Sequence, residues 1–202
     1  MNFVFFHGSF STPQDAWFPW LKEELTKQGH TVYAPEFPVD RWEDVGTINP
    51  DLYTPKQILE LWLTVFEPIF VELSKKDDLC FLGHSLGPLF ILHVIERYQL
   101  HLRHAFFISP FFETSGKSAV VTKANATFYK SDFDFANLKK NIPESTVIYS
   151  DDDPYVSKDK AIEFARKLGC RLIELHGYGH VGIESGLKQF PELLKIMTDT
   201  IK

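Results

Sequence analysis

One serine has neighbours typical of a catalytic nucleophile, in the segment Gly83-His84-Ser85-Leu86-Gly87. The segment fits the pattern G-x-S-x-G, which between a strand and a helix forms a sharp turn that exposes the serine hydroxyl above a sheet. An apolar run at residues 79–82 predicts the strand, and an apolar helical pattern at residues 89–98 predicts the helix. The pattern alone would arise by chance in about one chain in twenty of this length, so it needs partner residues elsewhere.

A serine nucleophile needs a histidine that takes its proton and a carboxylate that orients the histidine. Carboxylates follow the predicted strand 147–150, at Asp151, Asp152 and Asp153. Asp153 is the preferred acid, because the sequence Asp153-Pro154-Tyr155-Val156 would fix its backbone and let Val156 pack beneath it. Asp151 and Asp152 have the alternative interpretation of turn residues at a strand end.

Two histidines, His176 and His180, follow the predicted strand 171–175. His180 is the preferred base, because Gly179 gives the loop freedom to bring the ring back over the sheet edge, whereas His176 is expected to be structural or to line a pocket. The order serine, aspartate, histidine is that of α/β-hydrolases. The sequence therefore predicts a triad of Ser85, Asp153 and His180.

The anionic oxygen that forms during acyl transfer needs two hydrogen-bond donors. The backbone N–H of Leu86 is the first candidate, because N–H groups in the first turn of a helix lack intrahelical partners. The second donor is expected from the loop after the first strand, from the N–H of Ser9 or Phe10. The sequence leaves the choice between these two open.

Strands and helices are predicted to alternate along the whole chain. The predicted strands are residues 3–6, 31–34, 79–82, 105–109, 147–150 and 171–175, and the predicted helices are residues 17–28, 55–73, 89–98, 133–140, 158–168 and a last helix from Pro191. This alternation indicates a parallel sheet covered on both faces. A length of 202 residues suits one domain, 1–202. Residues 35–54 are expected to be irregular and residues 110–141 to hold only the short helix 133–140, and either segment could act as a lid.

Aromatic residues are abundant, at 15% of the chain with 19 Phe and 4 Trp. Aromatics fill cores, but they also line apolar substrate pockets. The candidates for pocket walls are Trp17, Trp42, Phe111, Phe112, Phe128, Phe133 and Phe135. They suggest a small-molecule substrate with an apolar acyl group, with plain core packing as the alternative.

Other function classes are disfavoured. The net charge of −6 without a basic cluster argues against nucleic-acid binding, and no apolar run is long enough to span a membrane. Neither a metal nor a cofactor is expected, because His101 and His104 belong to no metal-binding motif and no phosphate-binding glycine motif occurs. Cys80 and Cys170 are expected in strands as free thiols, and the N-terminus lacks signal-peptide features, so a soluble cytoplasmic protein is expected.

Together these motifs resemble the small serine hydrolases of the YdeN and retinoblastoma-binding-protein type over nearly the whole chain. The resemblance includes His7-Gly8 and Trp17-Phe18-Pro19-Trp20-Leu21, and it continues through the Ser85 motif, Asp153-Pro154-Tyr155-Val156 and Gly179-His180. It implies the α/β-hydrolase fold as a compact sheet of six parallel strands in the order 2-1-3-4-5-6, with no separate cap domain. The L-x-C-x-E segment of vertebrate relatives is absent, so a retinoblastoma-type partner is not implied; the nearest string, Leu168-Gly169-Cys170-Arg171-Leu172, lacks the glutamate.

The sequence therefore predicts a serine hydrolase that cleaves a carboxylic ester, or an amide, through an acyl-enzyme. His84 is expected to support this site, and His30 and His93 are expected to be structural. Two alternatives stay open: a thioesterase or aminopeptidase-like hydrolase, and a binding protein that keeps the hydrolase frame without turnover.

Overall fold

Six strands form one parallel sheet in the structure, a computed structural model that describes residues 1–113 and 118–201. The strands are β1 (Asn2–Phe6), β2 (Thr31–Tyr33), β3 (Leu79–His84), β4 (His104–Ile108), β5 (Ser145–Ser150) and β6 (Arg171–Leu175). Their order in the sheet is β2-β1-β3-β4-β5-β6, and all neighbours are parallel. The predicted fold class and strand order are confirmed.

Helices cover both faces of the sheet. They are α1 (Phe18–Lys27), α2 (Trp42–Val45), α3 (Leu59–Leu73), α4 (Leu86–Tyr98), α5 (Ala119–Asn125), α6 (Phe135–Asn141), α7 (Lys158–Leu168) and α8 (Pro191–Thr200). Each helix of the described chain is too short or too polar to cross a lipid bilayer.

Each face of the sheet has its own core because successive strand side chains point to opposite sides. On β3, Cys80 and Leu82 belong to the core beneath α1 and α8, whereas Leu79 and Phe81 belong to the core beneath α3, α4, α6 and α7. All four side chains are almost completely buried. A central strand buried on both faces explains why this segment is apolar throughout rather than alternating.

Several predicted boundaries need correction. Helix α3 begins at Leu59 rather than at Pro55, because Ile58 has extended backbone angles and the Lys56 N–H is bound to the Asp40 carboxylate at 2.9 Å. Strand β4 spans His104–Ile108 rather than residues 105–109, and Cys170 directly precedes β6 instead of lying in it.

The two segments that could act as lids, 35–54 and 110–141, pack on each other through their described residues. The first contains α2 and a 3₁₀ turn at Pro50–Leu52, and the second contains α5, which the sequence did not predict. Val45 and Tyr53 from the first segment form a small apolar cluster with Val120 and Ala124 from the second. Lys123 Nζ also donates to the Pro50 carbonyl at 2.7 Å.

Candidate active site

Ser85 lies on the turn between β3 and α4 with a strained backbone. Its φ of 58° and ψ of −103° fall in a region that residues with a side chain rarely adopt, at a typical cost of about 1–3 kcal/mol. Its N–H donates to the Ile108 carbonyl of the neighbouring strand at 2.9 Å. The structure therefore has the sharp strand-to-helix turn that the sequence pattern predicts.

The two glycines of the motif are required by close backbone approaches. A Cβ atom on Gly83 would lie 2.6 Å from the Pro88 nitrogen. A Cβ atom on Gly87 would collide with the Phe6 carbonyl of β1. Both obstacles are backbone atoms that cannot rotate away, so only glycine allows helix α4 to lie this close to the sheet.

Three polar side chains from different strand ends meet above Ser85. The distance from His180 Nε2 to Ser85 Oγ is 2.9 Å, and the distance from His180 Nδ1 to Asp153 Oδ2 is 2.8 Å. The histidine side chain is 10% exposed and the aspartate side chain 2% exposed, so the chain of hydrogen bonds is largely shielded from water. The structure thus brings together the three residues predicted as the triad.

The environment of Asp153 favours its charged form. Burial tends to raise the pKa of this carboxyl, but the hydrogen bond and charge of His180 lower it, as do backbone N–H groups of Val156 and Tyr155, and the net pKa is lowered. These N–H groups donate to Oδ1 at 2.9 and 2.8 Å, which leaves Oδ2 for the histidine. A carboxylate only accepts hydrogen bonds, so His180 carries its proton on Nδ1 and its Nε2 can accept the serine proton.

The loop that carries His180 is fixed by the residues directly before Asp153. Asp151 Oδ1 accepts from the Gly177 N–H at 3.0 Å, and Asp152 Oδ1 accepts from the Gly179 N–H at 2.8 Å. Ser150 Oγ donates to the same Asp152 oxygen at 2.6 Å. Asp151 and Asp152 therefore anchor the backbone of the histidine loop, whereas Asp153 is the aspartate bonded to the His180 ring.

His176 lies on the solvent side of this loop. Its side chain is 76% exposed, and its Nδ1 is 2.8 Å from Asp151 Oδ2. This hydrogen bond raises the pKa of His176. The pair of residues is an exposed contact that closes the loop, and His176 is not among the described residues that line the cavity beside Ser85.

The strand ends near Ser85 are positioned for the predicted oxyanion donors. Leu86 is the first residue of α4, so its N–H has no acceptor within the helix. The chain after β1 passes so close that a Cβ atom on Gly8 would lie 2.9 Å from Ser85 Cβ. Ser9 and Phe10, which follow, both line the cavity. The assignment of these backbone N–H groups as oxyanion donors stays a prediction.

Two buried histidines, both in the neutral form, stabilise the loops around Ser85 through hydrogen bonds to backbone groups. His7 Nδ1 donates to the Gly8 carbonyl at 2.9 Å and its Nε2 accepts from the Phe37 N–H at 3.0 Å. His84 Nε2 donates to the His180 carbonyl at 2.8 Å, which supports the predicted supporting role of His84. Burial lowers the pKa of His7 to about 4, and burial together with the nearby His180 lowers that of His84 to about 3.

These lowered pKa values predict acid destabilisation. An unfolded histidine takes up a proton near pH 6.5, whereas folded His84 stays neutral down to about pH 3, so its contribution to stability is complete above pH 6.5 and is lost as the pH falls below it. We expect His84→Gln, which keeps an N–H donor, to reduce the slope of unfolding free energy against pH by about 1 kcal/mol per unit between pH 5 and 6. Urea unfolding at several pH values measures the slope; an unchanged slope would contradict the assignment.

A cavity of about 350 Å³ opens beside Ser85 and His180. Its apolar walls come from several segments: Phe10, Trp42, Phe111, Val121, Tyr155, Val156 and Ile183. Polar side chains of Ser9 and Asn125 and two carboxylates, Glu43 and Glu184, also line it. Both segments that could act as lids contribute to the lining, through Trp42 of α2 and Val121 of α5.

Of the aromatic residues predicted as pocket walls, the structure brings Trp42 and Phe111 to the cavity and leaves Trp17, Phe112 and Phe128 in the core. Trp17 is fully buried, and its Nε1 donates to the Val181 carbonyl at 2.7 Å, so it lies beneath the histidine loop. Phe128 is fully buried with its ring centroid 5.0 Å from that of Trp62. The prediction is therefore wrong for these three residues.

Phe112 shows why residue type alone misleads here. Its ring stacks on Phe164 of α7 at a centroid distance of 4.8 Å. It also contacts Phe133 and Phe135, which were further candidates and which belong to the same packed group. Phe112, Phe133 and Phe164 belong to one core cluster and Phe135 packs against it, since large aromatics bury more apolar area than other side chains.

Several cavity residues were not predicted from the sequence. Asn125 and Val121 lie on α5, a helix without a clear apolar period in the sequence. Glu43 and Ile183 lie in short turns whose position depends on distant contacts. Tyr155 could have been proposed from its place two residues after Asp153, and its ring lies edge-on to that of His180 at 5.2 Å.

A larger groove of about 970 Å³ lies at the opposite ends of the strands, where the strands begin. It is lined by residues that begin β3 and β4 and by an exposed ion pair of Arg103 and Asp78 at 3.5 Å. Ser85 and His180 lie at the other ends of their strands. Size therefore does not identify the active site, whereas the arrangement of the polar side chains does.

A parallel sheet of this order, with a serine on the strained turn after its third strand and an aspartate and a histidine after its last two, defines the α/β-hydrolase fold. Residues 3–199 match the serine hydrolase family, and the chain belongs to that family.

Relatives with known names and structures agree with this class. YdeN of Bacillus subtilis strain 168 is 25% identical over 194 residues, covering 95% of this chain and 92% of that protein. The crystal structure of the B. subtilis ydeN gene product has a TM-score of 0.79 at 22% identity, covering 98% and 97% of the two chains. Polyneuridine aldehyde esterase has a TM-score of 0.66 at 14% identity, covering 100% and 99%.

Proposed function

We propose that the protein hydrolyses a carboxylic ester through an acyl-enzyme formed on Ser85. The observation that carries this proposal is the continuous hydrogen-bonded chain from Asp153 through His180 to Ser85 Oγ, with distances of 2.8 and 2.9 Å. A nucleophile, a base within reach of it and a carboxylate that orients the base are the parts that acyl transfer requires. The esterase name of a structural neighbour, polyneuridine aldehyde esterase, is compatible with an ester substrate.

The first half of the reaction acylates the serine. His180 Nε2 takes the proton of Ser85 as Oγ attacks the carbonyl carbon, and Asp153 stabilises the imidazolium. The N–H groups of Leu86 and of Ser9 or Phe10 stabilise the resulting oxyanion, where loss of one donor typically costs about 10²–10³ in rate. The bond from carbon to the leaving oxygen then breaks, and His180 gives its proton to the departing alcohol.

The second half releases the acid. Water enters next to His180, which takes one of its protons as the water oxygen attacks the acyl carbon. The bond from carbon to Ser85 Oγ breaks, and the proton returns from His180 to the serine. The apolar cavity walls, among them Trp42, Phe111 and Val121, support a substrate with a small apolar acyl group.

A fluorophosphonate probe tests whether Ser85 is an activated nucleophile. Such probes react with a serine that has an active base and oxyanion donors, so we expect stoichiometric labelling of the native protein, located at Ser85 by mass spectrometry of the digested protein. Heat-denatured protein and Ser85→Ala are the controls and should stay unlabelled. Failure of the native protein to react would favour a binding protein without turnover.

A further inference from the structure

A buried polar cluster interrupts the apolar wall of the catalytic cavity. Asn125, at the end of α5, is 1% exposed and yet lines the cavity, as does Ser9. Gln57 lies behind them and is fully buried. Amide side chains are seldom buried to this extent, and burying a polar group is costly unless its hydrogen bonds are made.

Two donors fix the orientation of the Asn125 amide. Ser9 Oγ donates to Asn125 Oδ1 at 2.7 Å, and Gln57 Nε2 donates to the same oxygen at 2.6 Å. Within residues 1–113 and 118–201, the two hydrogen bonds of the Asn125 side chain both end on Oδ1, and Nδ2 donates none. With its oxygen held on one side, the amide directs its two N–H donors to the other.

The reversed orientation of both amides is less favourable. In the observed arrangement the buried atom of this cluster that has no partner among the described residues is Gln57 Oε1, a carbonyl oxygen. Reversing Asn125 and Gln57 together would replace that oxygen by an NH₂ group and bury its donors without acceptors. Orphaned N–H groups are rarer in proteins than carbonyl oxygens without a full set of partners.

The cluster is bonded to the loop that is proposed to hold the oxyanion. His180 protonates the leaving alcohol, so the residues next to its ring, such as Tyr155, face the leaving group. Ser9 belongs to the loop beside Ser85 that is proposed to hold the oxyanion, and it is bonded to Asn125. A substrate group that reaches Asn125 therefore extends from the acyl carbon.

The charge of the cavity restricts what this group can be. Among the described residues that line it, the acidic side chains are Glu43 and Glu184, and none is lysine or arginine. A carboxylate in this cavity would be repelled by both glutamates and would meet no cation among these residues. A neutral oxygen that accepts hydrogen bonds suits the Asn125 donors.

We propose that the acyl group of the substrate carries a neutral acceptor oxygen, such as an ether or ketone oxygen, that is bound by Asn125 Nδ2. This inference rests on the proposed esterase function, and it adds a substrate class to an otherwise apolar pocket. A site built to hydrogen-bond a substrate group rejects the analogue that lacks it, because the buried donors then stay unpaired.

Matched p-nitrophenyl esters test this inference. Methoxyacetate, beta-methoxypropanoate and gamma-methoxybutanoate esters replace one methylene of the butanoate, pentanoate and hexanoate esters by oxygen at successive positions. For each pair, kcat/KM is divided by the rate constant of alkaline hydrolysis, which removes the difference in intrinsic reactivity. We expect the wild-type protein to prefer one ether ester over its alkyl counterpart by about tenfold.

Two variants locate the preference. In Asn125→Leu the new side chain has a similar shape but no donor. We expect this variant to lose the preference for the ether ester, whatever loss of kcat/KM is common to both esters of the pair. Val121→Ala is the matched control, because Val121 lies on the same helix and lines the same cavity with an apolar side chain. It is expected to change both esters of a pair by the same factor.

The outcomes separate this inference from the proposed function. Turnover of the alkyl esters without an ether preference in any pair would overturn the Asn125 assignment and leave the esterase function intact. A preference that persists in Asn125→Leu would also overturn it. Absence of turnover of every ester by the wild-type protein would overturn the esterase function and this inference with it.

Discussion

Ser85→Ala is expected to lower kcat/KM for p-nitrophenyl butanoate by about 10⁵–10⁶-fold, since loss of the nucleophile serine in subtilisin costs about 2 × 10⁶. The substitution removes the oxygen atom that forms the acyl-enzyme, and it leaves His180 Nε2 without its partner at 2.9 Å. Steady-state hydrolysis, followed by release of p-nitrophenolate, measures the effect. Residual turnover in the variant would come from the oxyanion donors and from binding alone.

A second serine variant controls for handling and stability. Ser74 directly follows α3 and lines the groove at the opposite ends of the strands. Its Oγ donates to the Val71 carbonyl at 3.1 Å, within the last turn of the same helix. Ser74→Ala is expected to keep wild-type turnover, and circular dichroism of both variants checks that they are folded. A Ser85→Ala protein that retains more than about a hundredth of the wild-type rate would refute the acyl-enzyme mechanism.

The sequence predicts the frame of this protein well where one pattern suffices. The bounds of α7 and β6, Lys158–Leu168 and Arg171–Leu175, agree with the prediction, because an amphipathic helix, a glycine stop and a short strand follow one another there. The G-x-S-x-G pattern likewise predicts a turn that depends on contacts between backbone atoms. Such features are determined by residues close together in the chain.

Features that depend on distant contacts were not predictable in the same way. Helix α5 spans seven residues and is stabilised by packing on α2 and the following turn rather than by an apolar period of its own. Trp17 is predicted as a pocket wall from its residue type, which does not show whether an aromatic ring lines a cavity or packs in the core. In the structure its buried Nε1 donates to the carbonyl of Val181, 164 residues later.

The choice among three consecutive aspartates shows the same limit. The sequence favoured Asp153 for its rigid Pro154-Tyr155-Val156 continuation, and the structure has Asp153 at the histidine ring. What the sequence did not reveal is that Asp151 and Asp152 bind the backbone of the histidine loop, since this requires the 176–180 segment to fold back over β5.

Asp153→Asn is therefore expected to have the second large effect, a fall in kcat of about 10⁴-fold at neutral pH. The asparagine Oδ1 can still accept from the N–H groups of Tyr155 and Val156, so the loop keeps its shape. Its NH₂ group, however, would face His180 Nδ1 and favour the tautomer with the proton on Nε2. That tautomer cannot accept the proton of Ser85.

Asp152→Asn provides the matched comparison within the same segment. Asp152 Oδ1 accepts from Ser150 Oγ at 2.6 Å and from the Gly179 N–H at 2.8 Å, and an asparagine oxygen can accept both bonds. We expect a loss of less than about tenfold in kcat, because a neutral acceptor binds these donors less strongly than a carboxylate. Parallel measurements of kcat on the two variants decide the assignment. Only the residue bonded to His180 Nδ1 can select the tautomer that accepts the serine proton. A larger loss of kcat in Asp152→Asn than in Asp153→Asn would therefore mean that Asp152, and not Asp153, orients His180.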